Sequence, residues 1–249
     1  MFTQTSALPR LSRDRYLASL PEPQEWFLEE LVRDGEVWEV PGKAYAVFHA
    51  ATLVEFHVED AATASQHLTH LRTCRPFETA LCKSFDPTLL NAAKPLGCRV
   101  QDAAFLFRKR VPVEWPRPEG FQIVKAQAHD VDPALRLGGD FFAGLDDVER
   151  LFATGDLWIA RQNSQMVGCG VTYPLGAQVD AVDIGMVIGK DWRNRGFGVA
   201  LVGALADLVE RRGQRPICGC AKDNLASRAT LEKAGFVSEH RLFRLEFPA

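Results

Sequence analysis

The sequence lacks any apolar stretch approaching the roughly 18 residues that a membrane span needs. It lacks a basic excess, with 32 acidic residues against 29 basic ones, which argues against a nucleic-acid partner. The first twenty residues, MFTQTSALPRLSRDRYLASL, have no basic start leading into an apolar core, so they do not read as a secretory signal. No membrane association is expected, and the cytoplasm is the default location. The six cysteines, at 74, 82, 98, 169, 218 and 220, form no CxxC pair and read as free thiols. His67 and His70 could share one helix face, but no further Cys or His completes a ligand set, so no metal site is expected. What is present is ordinary: 249 residues, 47% hydrophobic and 24% charged, enough for one large globular domain or two small ones.

Along the chain, the first forty residues read as helical. PEPQEWFLEELVRDG is the clearest helix, with Trp26, Phe27, Leu28, Leu31 and Val32 as its apolar stripe. Three alternating strands follow, EVWEV, KAYAVFHA and TLVEFHVE, then a helix opened by Asp60. ETALCKS reads as a strand, DPTLLNAAKPLG as a short helix with Pro87 in its first turn, and CRVQDAAFLFRKR as another strand. VPVEWPRPEG, with three prolines in ten residues, is the best linker. The expected division is a first domain over 1–112, a linker over 113–118 and a second domain over 119–249. In the second, a strand and two helical segments precede a hairpin turning at Asn163–Ser164. Then come the strand DAVDIGMVIG, the long helix GVALVGALADLVERRG, the strand RPICGCAK, the helix NLASRATLEKAG and a final strand pair or bent strand. The order is that of an α+β fold.

RNRGFG, residues 193–198, lies between a strand and that long helix. Gly196 and Gly198 permit positive φ and close approach of a ligand to the backbone. The free amides at the helix start would converge on one point, a nest for an anion, with Arg193 and Arg195 adding charge. A phosphate group is the natural guest. The Walker pattern is absent, and Leu201 stands where a dinucleotide fingerprint needs its third glycine or alanine. Arg193, Gly196 and Gly198 instead resemble the Arg/Gln-x-x-Gly-x-Gly/Ala pyrophosphate motif of the GNAT N-acetyltransferases. About thirty residues on, NLASRATLEKAGF is similar to that family's second signature, through Asn224, Ser227, Leu231, Lys233, Gly235 and Phe236. Upstream, VDIGMVI is similar to its fourth strand. The resemblance covers residues 119–249.

The resemblance implies a mixed, mostly antiparallel central sheet flanked by helices, whose fourth and fifth strands splay apart. It implies acetyl-CoA as cosubstrate, with the pantetheine arm along Met186, Val187 and Ile188 and the pyrophosphate on Arg193, Asn194, Arg195, Gly196, Phe197, Gly198 and Val199. Asn224 and Ser227 would lie beside the pantetheine. The acceptor would be the primary amine of a small molecule or amino-acid-like compound, and the protein a monomer or homodimer. A neutral amine nucleophile needs a base. Asp183 matches the acidic position often given that role; the other reading is an exposed strand carboxylate or ion-pair partner. An amide near Val187 could stabilise the oxyanion. Many relatives carry a tyrosine where this chain has Leu231, so the thiolate is protonated by another group or leaves as the anion. Tyr173, Cys218 and Cys220 are near by fold logic and read as packing residues. The alternative function is a non-catalytic acyl-CoA-binding regulator.

The first half echoes the second at an offset of 138 residues. Cys82 matches Cys220, Asp86 matches Asn224, Gly97 matches Gly235, and Phe105 matches Phe243. This suggests an internal repeat. No Gly-x-Gly lies between TLVEFHVED and ATASQHLTHL, so the first half resembles a degenerate GNAT fold without a phosphate site, and one cofactor site per chain is expected.

Overall fold

The computed structural model describes residues 1–176 and 180–248. In chain order the elements are β1 (Thr3–Thr5), α1 (Arg10–Ser19), α2 (Trp26–Arg33), β2 (Glu36–Val40), β3 (Ala44–His49), β4 (Thr52–Val58), α3 (Ala64–Cys74), β5 (Thr79–Lys83), α4 (Pro87–Ala93), β6 (Arg99–Phe107) and β7 (Lys109–Arg110). They continue as β8 (Phe121–Lys125), α5 (Val131–Gly138), α6 (Leu145–Thr154), β9 (Leu157–Gln162), β10 (Gln165–Pro174), β11 (Ala181–Ile188), α7 (Phe197–Arg211), β12 (Arg215–Ala221), α8 (Leu225–Lys233), β13 (Phe236–Val237) and β14 (His240–Glu246). The fold is α+β with mostly antiparallel pairing. Two compact units divide it: Met1–Leu106 with Gly219–Asp223 and the segment from Glu239 on, and Phe107–Cys218 with Asn224–Ser238.

In the first unit, β1 to β4 form an antiparallel run. β4 then pairs in parallel with β5, at Thr52–Thr79 and Leu53–Ala80 only. The chain's last strand, β14, runs antiparallel to both β5 and β6 and separates them. The expected second domain ran to residue 249, yet this last strand belongs to the first unit. Its apolar side chains explain the placement: Leu242 and Leu245 are buried among first-unit residues. β1 is a second departure from expectation. The first forty residues are not all helical, because residues 3–5 complete the sheet beside Val37–Glu39. In α2 the stripe is narrower than read: Leu28 and Val32 are buried while Phe27 stays 53% exposed.

The strand–helix–strand echo is real in geometry. Asp86 caps α4 by accepting from Leu89 N–H at 3.2 Å, and Asn224 caps α8 by accepting from Ser227 N–H at 3.0 Å. Gly97 and Gly235, also 138 residues apart, both take positive φ, 70° and 93°, at the helix ends.

Where β4 and β5 part, the first unit is filled by its own polar side chains. Glu55 (1% exposed) accepts from Tyr45 Oη at 2.8 Å, Arg13 Nε at 3.0 Å and Gln24 Nε2 at 3.2 Å. Lys83 (2% exposed) donates to Tyr16 Oη at 2.7 Å and to Gln24 Oε1. The Tyr16 hydroxyl in turn donates to Asp86 at 2.7 Å. Burial, and then the Asp86 and Glu55 carboxylates, push both tyrosines far above their ordinary pKa, so they stay protonated donors.

The second unit is an antiparallel run of β8, β9, β10 and β11. β9 and β10 turn at Asn163, whose φ of 54° suits asparagine. α7 packs directly on β10. An added Cβ at Gly170 would lie 2.6 Å from Leu205 Cδ1, so glycine sets the depth of that contact. Leu201, Val202, Leu205 and Val209 are all buried along the helix. The six cysteines are free, with Cys82, Cys169 and Cys218 buried.

Removing one partner from a buried charge network strands the others. Lys83→Met is expected to destabilise the protein by about 3–5 kcal/mol. Denaturant unfolding of the full chain checks this; a shift below about 1 kcal/mol would mean the network is solvated.

Candidate functional site

β11 pairs in parallel with β12 at three positions, Ala181–Arg215, Val182–Pro216 and Asp183–Ile217. No pairing with β12 continues beyond Asp183 among the described residues, while on its other edge β11 stays fully paired with β10 through Ile188. Every second amide and carbonyl of residues 184–188 on the β12 side is therefore left without a strand partner. Met186 and Val187 are half-buried there and Ile188 is buried. The carbonyl of Ile188 accepts from Arg193 Nε at 3.1 Å.

After β11, a single 3₁₀ turn at Lys190–Trp192 leads into residues 193–196. Asn194 and Gly196 take left-handed φ of 60° and 85° and fold the chain back into α7. The first amide with a helical acceptor is that of Ala200, bonded to Gly196 C=O at 3.0 Å. The N–H groups of Phe197, Gly198 and Val199 thus face out of the helix start. The side chains of Phe197 and Val199 are buried, so these residues offer only backbone to a ligand. An added Cβ at Gly198 would lie 3.2 Å from Thr230 Cγ2 and 3.6 Å from Met186 Cε. The glycine eases the approach of the start of α7 to α8 at Thr230, while a Cβ would meet β11 at ordinary contact distance. Arg193, Arg195 and Lys190 are exposed around this turn, with Asp191 the one acidic neighbour in the segment. Arg195 lies 5.4 Å from the centre of the Trp192 ring, and Trp192 meets buried Phe197 edge-on at 5.5 Å. The anion nest thus has its free amides, its positive charge and an aromatic footing for one arginine.

Asn224 is exposed, and its side-chain oxygen is engaged as the α8 cap. Ser227 is half-buried one turn before Thr230. Asp183, half-buried, occupies the last paired position before β11 and β12 part. Across β10 it sits opposite Tyr173. The alternation of β11 puts Asp183, Gly185 and Val187 on the face covered by α5 and α6. The sequence reading did not single out Gly185 and Phe141. An added Cβ at Gly185 would lie 3.2 Å from Phe141 Cζ, so Phe141 walls the space just beyond Asp183. The signal was there in GGDFFAG, an aromatic pair between glycines, where Gly139 and Gly144 take positive φ.

Leu231, at the position where the resemblance led one to look for a tyrosine, is 4% exposed and is core. Cys169 is no acid–base candidate either: burial, and then Asp130, push its thiol up to about 12. Cys218 is buried. Tyr173 is half-buried in the α5/α6-side cluster. Among the described residues no group of three or more His, Cys, Asp or Glu could hold a metal ion. Among the described residues no helix is long and apolar enough to cross a membrane.

Residues 127–236 match the family model described as Acetyltransferase (GNAT) family. Among curated proteins none matches the sequence. Several solved structures share the fold. A GNAT-family acetyltransferase from Colwellia psychrerythraea aligns over 100% of both chains with a TM-score of 0.88 and 14% identity. A GCN5-related N-acetyltransferase from Sphaerobacter thermophilus aligns over 100% of this chain and 96% of its own, with a TM-score of 0.62 and 15% identity. A tandem GNAT protein from the clavulanic acid biosynthesis pathway covers 98% of this chain and 97% of its own, with a TM-score of 0.59 and 13% identity. Residues 127–236, which contain the parted strands and the turn before α7, thus form a domain matching the GNAT acetyltransferase family, and the chain as a whole shares the fold of these solved structures.

Proposed function

We propose that the protein transfers an acetyl group from acetyl-CoA to the primary amine of a small or amino-acid-like acceptor, acting in the cytoplasm as a monomer or homodimer. The observation that carries this reading is the conjunction of unpaired β11 backbone with three free amides at the start of α7. The pantetheine arm would add to β11 as an extra strand along Met186–Ile188, and the pyrophosphate would sit on residues 193–199. A helix start supports an anion by only about 0.3–1 kcal/mol, so Arg193 and Arg195 are needed as well. Asn224 and Ser227, at the start of α8, would border the pantetheine.

In the chemical step the amine nitrogen attacks the thioester carbonyl, the C–S bond breaks, and the amine proton goes to Asp183, directly or through water. The amide near Val187 would hold the oxyanion. With Leu231 buried, no hydroxyl stands on α8 at that position. CoA then leaves as the thiolate or takes a proton from Tyr173, which shares Asp183's face. One site per chain is the expectation. In the first unit the turn before α3 carries Glu59 and Asp60, and Asp60 already accepts from Ala62 N–H at 3.0 Å. Glu59 already holds Arg15 at 2.7 Å, so a pyrophosphate there would compete with that ion pair, and the parting of β4 and β5 is filled by the Glu55–Lys83 network.

Buried Leu231 also favours a second reading, a non-catalytic acyl-CoA-binding regulator. Acetyl-CoA consumption with a panel of amines separates the two, since a regulator binds CoA and releases no thiol.

Gly196→Val would strain a turn that needs φ near 85°, and Arg193→Ala removes a cation. Each is expected to weaken CoA binding by about tenfold or more in calorimetry. Unchanged dissociation constants would refute the site. Asp183→Asn is expected to slow the chemical step by about 100-fold with CoA affinity little altered. Near-normal turnover would reduce this carboxylate to a structural role.

A further inference from the structure

The proline-rich stretch between the two halves of the sequence, read as a linker, is strapped onto the second unit's core helix. Val111 N–H donates to Gly235 C=O at 2.8 Å, and Val113 Cγ2 lies 3.1 Å from where a Cβ on Gly235 would be. Trp115 lies against Gly203. A Cβ there would sit 2.7 Å from each of three indole atoms, so the ring lies flat over the notch that the missing side chain leaves. Glycine is a weak helix former, and its place in the middle of α7 is explained by this indole. The next residue, Pro116, has its Cγ 3.8 Å from the Cβ position of Gly196 and is the nearest neighbour on that side of the turn. Arg117 folds back to 4.6 Å from the centre of the Trp115 ring.

Three contacts thus run from the α8–β13 turn, across the middle of α7, to the turn that opens it. Pro116 fixes its own φ and holds Trp115 in an extended conformation. With the indole seated in the Gly203 notch, the position of Pro116 beside Gly196 follows. The turn at Gly196 is otherwise a left-handed excursion, held by the Arg193–Ile188 bond and the aromatic contacts of Trp192. We propose that this strap sets the geometry of the acyl-CoA-binding turn, with Trp115 a positioning residue that acts through Pro116. The proposal rests on the functional reading given above. It assigns to residues 113–117 a role in cofactor affinity rather than in tethering alone.

Calorimetric titration of the full chain with CoA tests it. Trp115→Ala empties the notch, and Gly203→Val expels the indole while leaving the strap's sequence intact. Each is expected to raise the CoA Kd by about tenfold, whereas Trp115→Phe, which refills the notch, should stay within about threefold of the wild type. Pro116→Gly, at an exposed position, loosens the strap without touching the core and should weaken binding in the same direction. The KM for acetyl-CoA should rise with the Kd while the KM for the acceptor does not. If Trp115→Ala and Pro116→Gly both keep a Kd within about twofold of the wild type, the strap is only a tether and the proposal falls. If the wild-type chain binds no CoA, the functional reading falls and takes this proposal with it; binding that survives the substitutions sinks the strap alone.

Discussion

The parallel ladder between β11 and β12 stops after three residue pairs, and what the second unit offers a ligand follows from that stop. A backbone edge left unpaired in the middle of a sheet must find other donors and acceptors. Here it lies beside a helix start that has unmet amides of its own. The two deficits are adjacent because the turn at Asn194 and Gly196 folds the chain from the end of β11 straight back into α7. Asp183 stands at the vertex, the last residue held on both sides, which gives its carboxylate a fixed base. Gly185, two residues on, is closely covered by Val171 and Phe141, 2.9 and 3.2 Å from where its Cβ would be. The site is made by absences: missing pairs, missing side chains and missing helical acceptors.

The first unit shows the same frame put to another use. β4 and β5 also part after a short parallel ladder, of two pairs. There the space is taken by Tyr16, Tyr45, Glu55, Lys83 and Gln24, joined by hydrogen bonds, and the helix that follows opens behind Glu59, paired with Arg15, and the capping Asp60. The residue that caps α4, Asp86, is buried and spends its second oxygen on Tyr16, whereas its counterpart Asn224 is exposed. A buried ionic network is weak evidence for stability but is intolerant of losing one member. That intolerance fits the proposal of one cofactor site per chain. The last strand, β14, and Gly219–Asp223 belong to this half, so neither unit is a continuous piece of chain.

Much of the site was legible in the residues. Gly196, Gly198 and the flanking arginines announced a nest, because the φ a glycine permits and the amides a helix start leaves free are properties of a few consecutive residues. The helix start at Pro87, the hairpin at Asn163 and the apolar side of α7 were equally local. The 138-residue echo was readable for the same reason: each half had kept its own cap and its own left-handed glycine.

Other features were decided only in three dimensions. That Glu36–Val40 would recruit residues 3–5 as a strand, and that His240–Glu246 would insert between β5 and β6, depends on which unpaired edge lies within reach. No window of sequence contains both partners. Glu55 and Lys83 are charged residues in strand-like segments, and sequence alone gives no reason to bury them; only the packing of α1 and α2 over the parted strands brings Tyr16, Gln24 and Arg13 to meet them. Gly203 in mid-helix looked like a weakness until Trp115, 88 positions earlier, was found lying on it. The sequence by itself determined which turns, caps and helix starts could form, since those energies act over three or four residues. The tertiary structure decided which edges stay open and which charges are buried, since those depend on contacts between segments that the chain holds far apart.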